Sequence, residues 1–379
     1  MQVKLYNKAN SILGLAVDDG AHGRVLATIG ALRTRLEALP TRTAEQELAL
    51  TAARDALGLT AQPAFGLKAN VVEELDRLDA SAYQRYLTYR YKYDVYPAAR
   101  RLDAYPPCVQ IEPVSICNYR CLFCYQTDPK LTDKKNGHMG IMPLDRFKAV
   151  VDQLDGQVEA VTLASRGEPL VAPELPQMLA YMRGKFLASK LNTNASLLDE
   201  RLCHALLEAG LQTLVFSADA ADPVLYAKLR VNGHFDRVMK NIARFRDIRA
   251  RHYPQSKLIT RVSGVYYCDE QNRADMDRVW GEMVDQVIFV NYNPWVDIYN
   301  AQPSLVDAHC SDLWRRTFVW HDGRVNPCDV DYLSTLSPGT LAEASLSAIW
   351  TGEAYQTLRS RHAAGHRREM TLCRNCVTV

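Results

Sequence analysis

No charge of one sign dominates this sequence. Its 379 residues carry 45 Lys and Arg against 43 Asp and Glu, a formal net charge of +2. That balance argues against a dominant nucleic-acid or membrane-surface role. There is also no run of the roughly 18 apolar residues that a spanning helix needs. The N-terminal stretch MQVKLYNKANSILGLAV has a short apolar segment broken by Asn, Lys and Ser, which is not the pattern of a signal peptide. Internal repeats and low-complexity segments are absent as well. These absences lead to the expectation of a cytoplasmic protein with neither a nucleic-acid nor a membrane partner. Ten cysteines in such a chain read as metal ligands or catalytic groups, not as a disulfide framework.

What is present falls into three parts. Residues 1–104 read mainly as helix. Thr43 and Gln46 have capping-box spacing and open a helix that stops at Gly58; another is expected from about Val71 to Tyr96, ended by Pro97. Tyr86, Tyr89, Tyr93 and Tyr96 share one face of the latter, a face expected to pack on the main domain. Residues 105–300 alternate short β-rich runs (VQIEPV, EAVTLAS, ASKLNTN, TLVFSAD, KLITRVSGV, DQVIFVN) with helical stretches. This is the pattern of βαβ units and a parallel sheet, whose ligands gather at the C-terminal ends of the strands. Residues 301–379 lose the alternation and read as a small loop-rich domain stapled by a metal centre.

Two cysteine sets stand out. Cys117, Cys121 and Cys124 form C-x3-C-x2-C directly after the first strand. Three thiolates on one loop can each take one iron of a cubane and leave the fourth iron open, as catalysis requires. Cys310 and Cys328, followed by Cys373 and Cys376 as C-x2-C, make a set of four. Spacing alone leaves that set open between a 4Fe–4S cubane and a tetrahedral zinc.

The first set and the strand tips resemble the radical S-adenosylmethionine (SAM) superfamily. The resemblance covers roughly residues 108–300 and implies a partial (β/α)6, TIM-like barrel, with SAM on the open iron. It places Tyr125 beside the adenine, and Gly167 and Glu168 of SRGEP at the SAM amino group, with Arg166 standing where the family has glycine. Asn192, Asn194 and Ser217 would be ribose- and carboxylate-facing tips, Arg230 would reach the carboxylate, and Gly264 would lie near the adenine. The C-terminal pattern C-x12-G-x4-C, through Gly323, then C-x2-C, resembles the twitch domain, a shortened SPASM domain. That implies a second, auxiliary 4Fe–4S cluster on Cys310, Cys328, Cys373 and Cys376. The spacing is similar to that of butirosin-type aminocyclitol dehydrogenases.

The resemblance thus implies an oxidoreductase that makes a 5′-deoxyadenosyl radical and oxidises a sugar, nucleotide sugar or aminocyclitol through the auxiliary cluster. An external donor of flavodoxin or ferredoxin type would supply electrons. Catalytic candidates are Cys268, a possible hydrogen-atom donor past the fifth strand, and Arg261 on that strand. Asn291, Tyr292, Asn293 and Trp295 are candidates for a polar substrate pocket, and Asp329 and Asp331 for a base. His309 and His321 read as non-ligands, because cysteine already fills the ligand count. The alternatives are a peptide-modifying enzyme or epimerase using Cys268, and a non-catalytic iron–sulfur or zinc scaffold.

Overall fold

The computed structural model describes residues 12–13 and 15–379. Four helices come first: α1 (Asp19–Glu37), α2 (Ala44–Ala56), α3 (Ala69–Asp76) and α4 (Tyr83–Ala99). The capping box forms as expected: Gln46 N donates to Thr43 Oγ1, and Thr43 N to Gln46 Oε1. The single helix expected over 71–96 is two. Asp79 takes an extended conformation and Ser81 follows in a short 3-10 turn; both residue types compete with the helical backbone. Pro97 lies inside α4 and does not end it. A proline has no N–H for the carbonyl four residues back, and here Arg315 Nε donates to that Tyr93 carbonyl at 3.1 Å. Tyr86, Tyr89 and Tyr96 are buried, and their cluster reaches Cys108 and Ala160, the first residues of two strands. The aromatic face packs on the main domain as anticipated.

The strands of the main sheet are β1 (Ile12–Leu13), β2 (Cys108–Ile111), β3 (Ala160–Leu163), β4 (Ala188–Thr193), β5 (Thr213–Ser217), β6 (Ile259–Tyr266), β7 (Gln286–Asn291), β8 (Arg316–Val319), β9 (Arg324–Asn326) and β10 (Gly339–Thr340). The six expected runs are β2 to β7, and they pair in parallel in chain order. Helices Leu144–Leu154, Leu175–Met182, Glu200–Glu208, Phe235–His252 and Arg273–Trp280 cross between them. This is the partial (β/α)6 barrel of an α/β protein. Its outer face is apolar: Val109, Ile111, Val161, Leu163, Leu214 and Phe216 pack with helix residues such as Phe147, Val151, Leu179 and Leu206. Its inner face is polar at alternate positions, with Gln110, Thr162, Lys190 and Asn192 turned inward.

The C-terminal segment departs from expectation. It does not leave the sheet: β8 pairs in parallel with β2, Arg316 against Cys108 and Val319 against Ile111. β9 and β10 then extend the sheet antiparallel, with Gly323 between β8 and β9. Helices α3 and α4 sit against the strand starts, tied there by Arg85–Glu159 at 2.7 Å and Arg77–Asp285 at 3.3 Å. Among the described residues no helix is long and apolar enough to cross a membrane.

Candidate functional site

The loop after β2 carries Cys117, Cys121 and Cys124, and three other strand tips clamp it. Cys121 pairs with Arg230 in a short antiparallel ladder. Asn118 donates to Ser196 Oγ at 2.8 Å and accepts from Asn194 Nδ2 at 2.9 Å. Glu168 N donates to the Ile116 carbonyl at 3.0 Å. Gly167 shows why that last approach needs glycine: a Cβ there would lie 2.3 Å from the Val114 carbonyl oxygen and 2.6 Å from that of Ile116. Gly167→Ala is therefore expected to displace the cysteine loop. Iron bound after reconstitution should fall well below that of the unsubstituted chain, and full iron loading would show that the loop tolerates the methyl.

Burial pushes the Cys117 thiol up to about 12, and those of Cys121 and Cys124 up as well. Thiols held protonated in this way become ligands when a metal displaces the proton. All three line a cavity of about 490 Å³ that runs down the barrel interior. The four C-terminal cysteines, Cys310, Cys328, Cys373 and Cys376, converge on a separate small cavity with Leu313, Leu336 and Leu372. Among the described residues no three or more His, Cys, Asp or Glu are grouped as a single metal ion would need. A cubane takes each thiolate on a different iron. Three thiols on a loop that opens into a cavity, and four around an apolar pocket, fit one open and one fully ligated cluster.

The other expected site residues divide. Tyr125, Gly167, Glu168, Asn192, Asn194, Ser217, Arg230 and Arg261 all line the large cavity. Glu168 is buried and accepts from Leu170 N, Thr193 Oγ1 and Asn194 N at 3.1, 2.6 and 2.7 Å. Asn194 spends its amide on Asn118 and Ser196, so it holds the loop in place, whereas Asn192 Oδ1 is buried without a partner. Arg230 forms an ion pair with Asp219 at 2.6 Å, both side chains buried.

Gly264 is a correction: Ser263 and Val265 line the cavity and Gly264 does not. A strand turns successive residues to opposite faces, and Gly264 makes room for Phe289, which a Cβ would meet at 2.6 Å. Cys268 is likewise absent from the lining; it packs against the apolar cluster of Tyr119, Cys121, Phe123 and Leu229 beside the cysteine loop. Of the four residues after the sixth run only Trp295 reaches the cavity. Asn293 bonds Thr378, and the Tyr292 ring meets the edge of Tyr267. Asp331 is used up by Tyr299, Thr335 and Leu336, while Asp329 lines the cavity. His321 lies against Glu112 and His309 against the Pro97 carbonyl, in keeping with non-ligand roles.

Sequence reading missed the lower half of the cavity: Lys68, Glu74, Tyr89, Arg90, Tyr93 and Asp94 from the N-terminal helices, and Gln110, Lys190 and Arg316 from the strands. A signal was present in some of the strands, where polar residues such as Gln110, Thr162, Lys190 and Asn192 alternate with apolar ones.

The model of the Radical SAM superfamily matches residues 111–260, and that of SPASM, an iron–sulfur cluster-binding domain, matches residues 310–377. A probable GTP 3′,8-cyclase of Methanococcus maripaludis is 30% identical over 128 residues, 33% of this chain and 41% of that protein. Fe-coproporphyrin III synthase of Methanosarcina barkeri is 27% identical over 126 residues, 33% of this chain and 30% of that one. The chain thus spans less than half the length of these relatives. Among solved structures, SuiB of Streptococcus suis bound to precursor peptide SuiA aligns with a TM-score of 0.56 at 16% identity, over 75% of this chain and 72% of that one. BtrN in complex with AdoMet and 2-DOIA aligns with a TM-score of 0.50 at 19% identity, over 74% and 95%. At these identities the likeness is one of fold.

Proposed function

Since the chain belongs to the radical SAM superfamily and ends in a SPASM-type iron–sulfur domain, we propose that it oxidises an alcohol carbon of a sugar, nucleotide sugar or aminocyclitol. Its cofactors are SAM and two 4Fe–4S clusters; Cys117, Cys121 and Cys124 would hold one, and Cys310, Cys328, Cys373 and Cys376 the other. When bound, these groups supply a 5′-deoxyadenosyl radical as hydrogen-atom acceptor and, at the auxiliary site, an acceptor for the second electron. The observation that carries the reading is the cavity itself, which joins the three-cysteine loop to a barrel interior lined by Gln110, Thr162, Asn192, Thr213 and Ser263. Hydroxyl and amide groups within a deep cavity suit a small hydroxylated molecule. Glu168, Asn192 and Ser217 would orient SAM at the mouth. Asp329, next to Cys328 and facing the cavity, would take the proton of the substrate hydroxyl. Trp295, whose Nε1 donates to the Phe123 carbonyl at 2.8 Å, would help keep water from the reacting carbon. The electron donor would be external and of flavodoxin or ferredoxin type, and ten free thiols suit the reducing cytoplasm.

The test is to reconstitute the chain, reduce it, and assay 5′-deoxyadenosine from SAM together with a ketone product lighter than substrate by two hydrogens. Absence of 5′-deoxyadenosine would sink the radical reading. The peptide reading has one observation in its favour, the peptide-bound SuiB fold. Cys268, which does not line the cavity, separates the two: Cys268→Ala should leave ketone formation within about twofold, since it removes no group that faces the cavity. Loss of turnover in that variant would instead make the thiol a hydrogen donor and favour epimerisation.

A further inference from the structure

The floor of the barrel cavity is not built by the barrel alone. Helices α3 and α4, together with Lys68, close it from below, in a part of the chain that the superfamily match, starting at residue 111, does not reach. Five cations line this lower half, Lys68, Arg90, Lys190, Arg261 and Arg316, against two carboxylates, Glu74 and Asp94; Arg316 is held by Asp312 at 3.1 Å. Asp94 is shared: Arg90 reaches it at 2.8 Å and Lys68 at 3.5 Å. The Glu74 carboxylate accepts the Tyr86 hydroxyl. Arg261 is only 6% exposed, yet its side-chain bond goes to a neutral partner, from Nε to Gln286 Oε1 at 2.5 Å. Its Nη2 is buried without a hydrogen-bond partner, as is Nε of Arg90, which is also 6% exposed. No carboxylate lies within ion-pair distance of Arg261 among the described residues. Glu74 and Glu73 act on it only from beyond that distance, so its open N–H groups still lack acceptors, which is costly for a buried guanidinium.

We propose that this floor is an anion subsite, and that the substrate is a hydroxylated small molecule bearing a carboxylate or phosphate, which Arg261 receives with Arg90 beside it. A planar guanidinium edge with open N–H groups matches two oxygens of such a group. Anchoring the anion at the bottom of the barrel presents the other end of the molecule to the cysteine loop at the mouth, where hydrogen abstraction would occur. The subsite also gives the N-terminal helices a function, since α4 contributes Arg90 and the Tyr89 and Tyr93 rings packed against it. Of the substrates considered above it selects acidic or phosphorylated sugars, and it repels a protonated aminocyclitol. This inference rests on the small-molecule reading of the cavity.

The experiment uses the reconstituted holoenzyme with SAM and four probes that share one ring: glucose 6-phosphate, glucuronate, glucose and glucosamine. Equilibrium binding is measured by calorimetry. The two acids should bind at least about tenfold more tightly than glucose, with glucosamine weakest, and the tighter acid identifies phosphate or carboxylate. Arg261→Gln should weaken the acids by about tenfold to a hundredfold, the range for a hydrogen bond to a charged group, and Arg261→Lys should recover part of the loss. Equal or absent binding of all four by the unsubstituted enzyme overturns the subsite without reference to any variant. A preference for acids that survives Arg261→Gln overturns the role of Arg261. Formation of 5′-deoxyadenosine by the same unsubstituted preparation is scored separately, so failure of the radical reading and failure of the subsite are told apart.

Discussion

Replacing Cys117, Cys121 and Cys124 together by alanine is expected to abolish 5′-deoxyadenosine formation and to halve the bound iron, from about eight to about four atoms per chain, as loss of one of two cubanes requires. The expectation rests on geometry. The three thiols open into the large cavity, whereas the other four surround a small apolar one whose lining does not include them. Loss of one set should therefore leave the other able to assemble. Replacing Cys373 and Cys376 by alanine should remove a similar amount of iron and block ketone formation, while SAM cleavage at the first site persists. Iron and sulfide assays with electron paramagnetic resonance of the reduced protein check both. If the triple variant keeps all of its iron, those thiols are not ligands. If one set of changes empties both sites, the two halves do not assemble independently.

The division into two sets of cysteines was legible because their spacing is local in the sequence, three within eight residues and a C-x2-C pair near the end. The six parallel strands were legible for a similar reason: each is a short apolar run followed by polar or glycine-containing sequence, and neighbours in the chain became neighbours in the sheet. What failed depended on long-range pairing. The strand Arg316–Val319 lies among loops and shows no alternation, and its partner Cys108–Ile111 is some two hundred residues away. The boundary near residue 301 missed that continuity. Pro97 misled because its cost is met from outside the helix by Arg315. Gly264 misled because a motif identifies a segment, while strand alternation decides which residue of it faces inward. Arg261 was visible as a candidate; its lack of an ion pair within the barrel was not.

Arg166→Gly would restore the glycine that the radical SAM family usually has at this position of the SRGEP tip, yet it is expected to destabilise this chain by about 3–5 kcal/mol, the cost of leaving a buried ion-pair partner alone. Arg166 and Glu112 are both buried. Arg166 Nε and Nη2 reach the two oxygens of Glu112 at 2.7 and 2.6 Å, and Nη1 donates to the Tyr332 carbonyl at 2.9 Å. The guanidinium also lies over Trp320, 4.5 Å from the ring centroid, and His321 Nδ1 is 3.1 Å from the same carboxylate. The network therefore fastens the SRGEP tip to the segment that matches SPASM, a join that glycine cannot make. Burial alone would push the Glu112 carboxyl up, but Arg166 and His321 overcome it and hold the group at about 2 against an ordinary 4.5. A carboxyl depressed on folding stabilises the native state above its unfolded value and loses that contribution as pH falls through its folded one. Glu112 should thus contribute about 3 kcal/mol at neutral pH, a contribution that declines from about pH 4.5 toward pH 2. Urea unfolding of the cluster-free chain and of Glu112→Gln, compared at pH 7 and at pH 3, reads this directly. The gap between the two should be widest at pH 7 and narrow at pH 3; a gap independent of pH would show that the Glu112 charge does not hold the two halves of the site together.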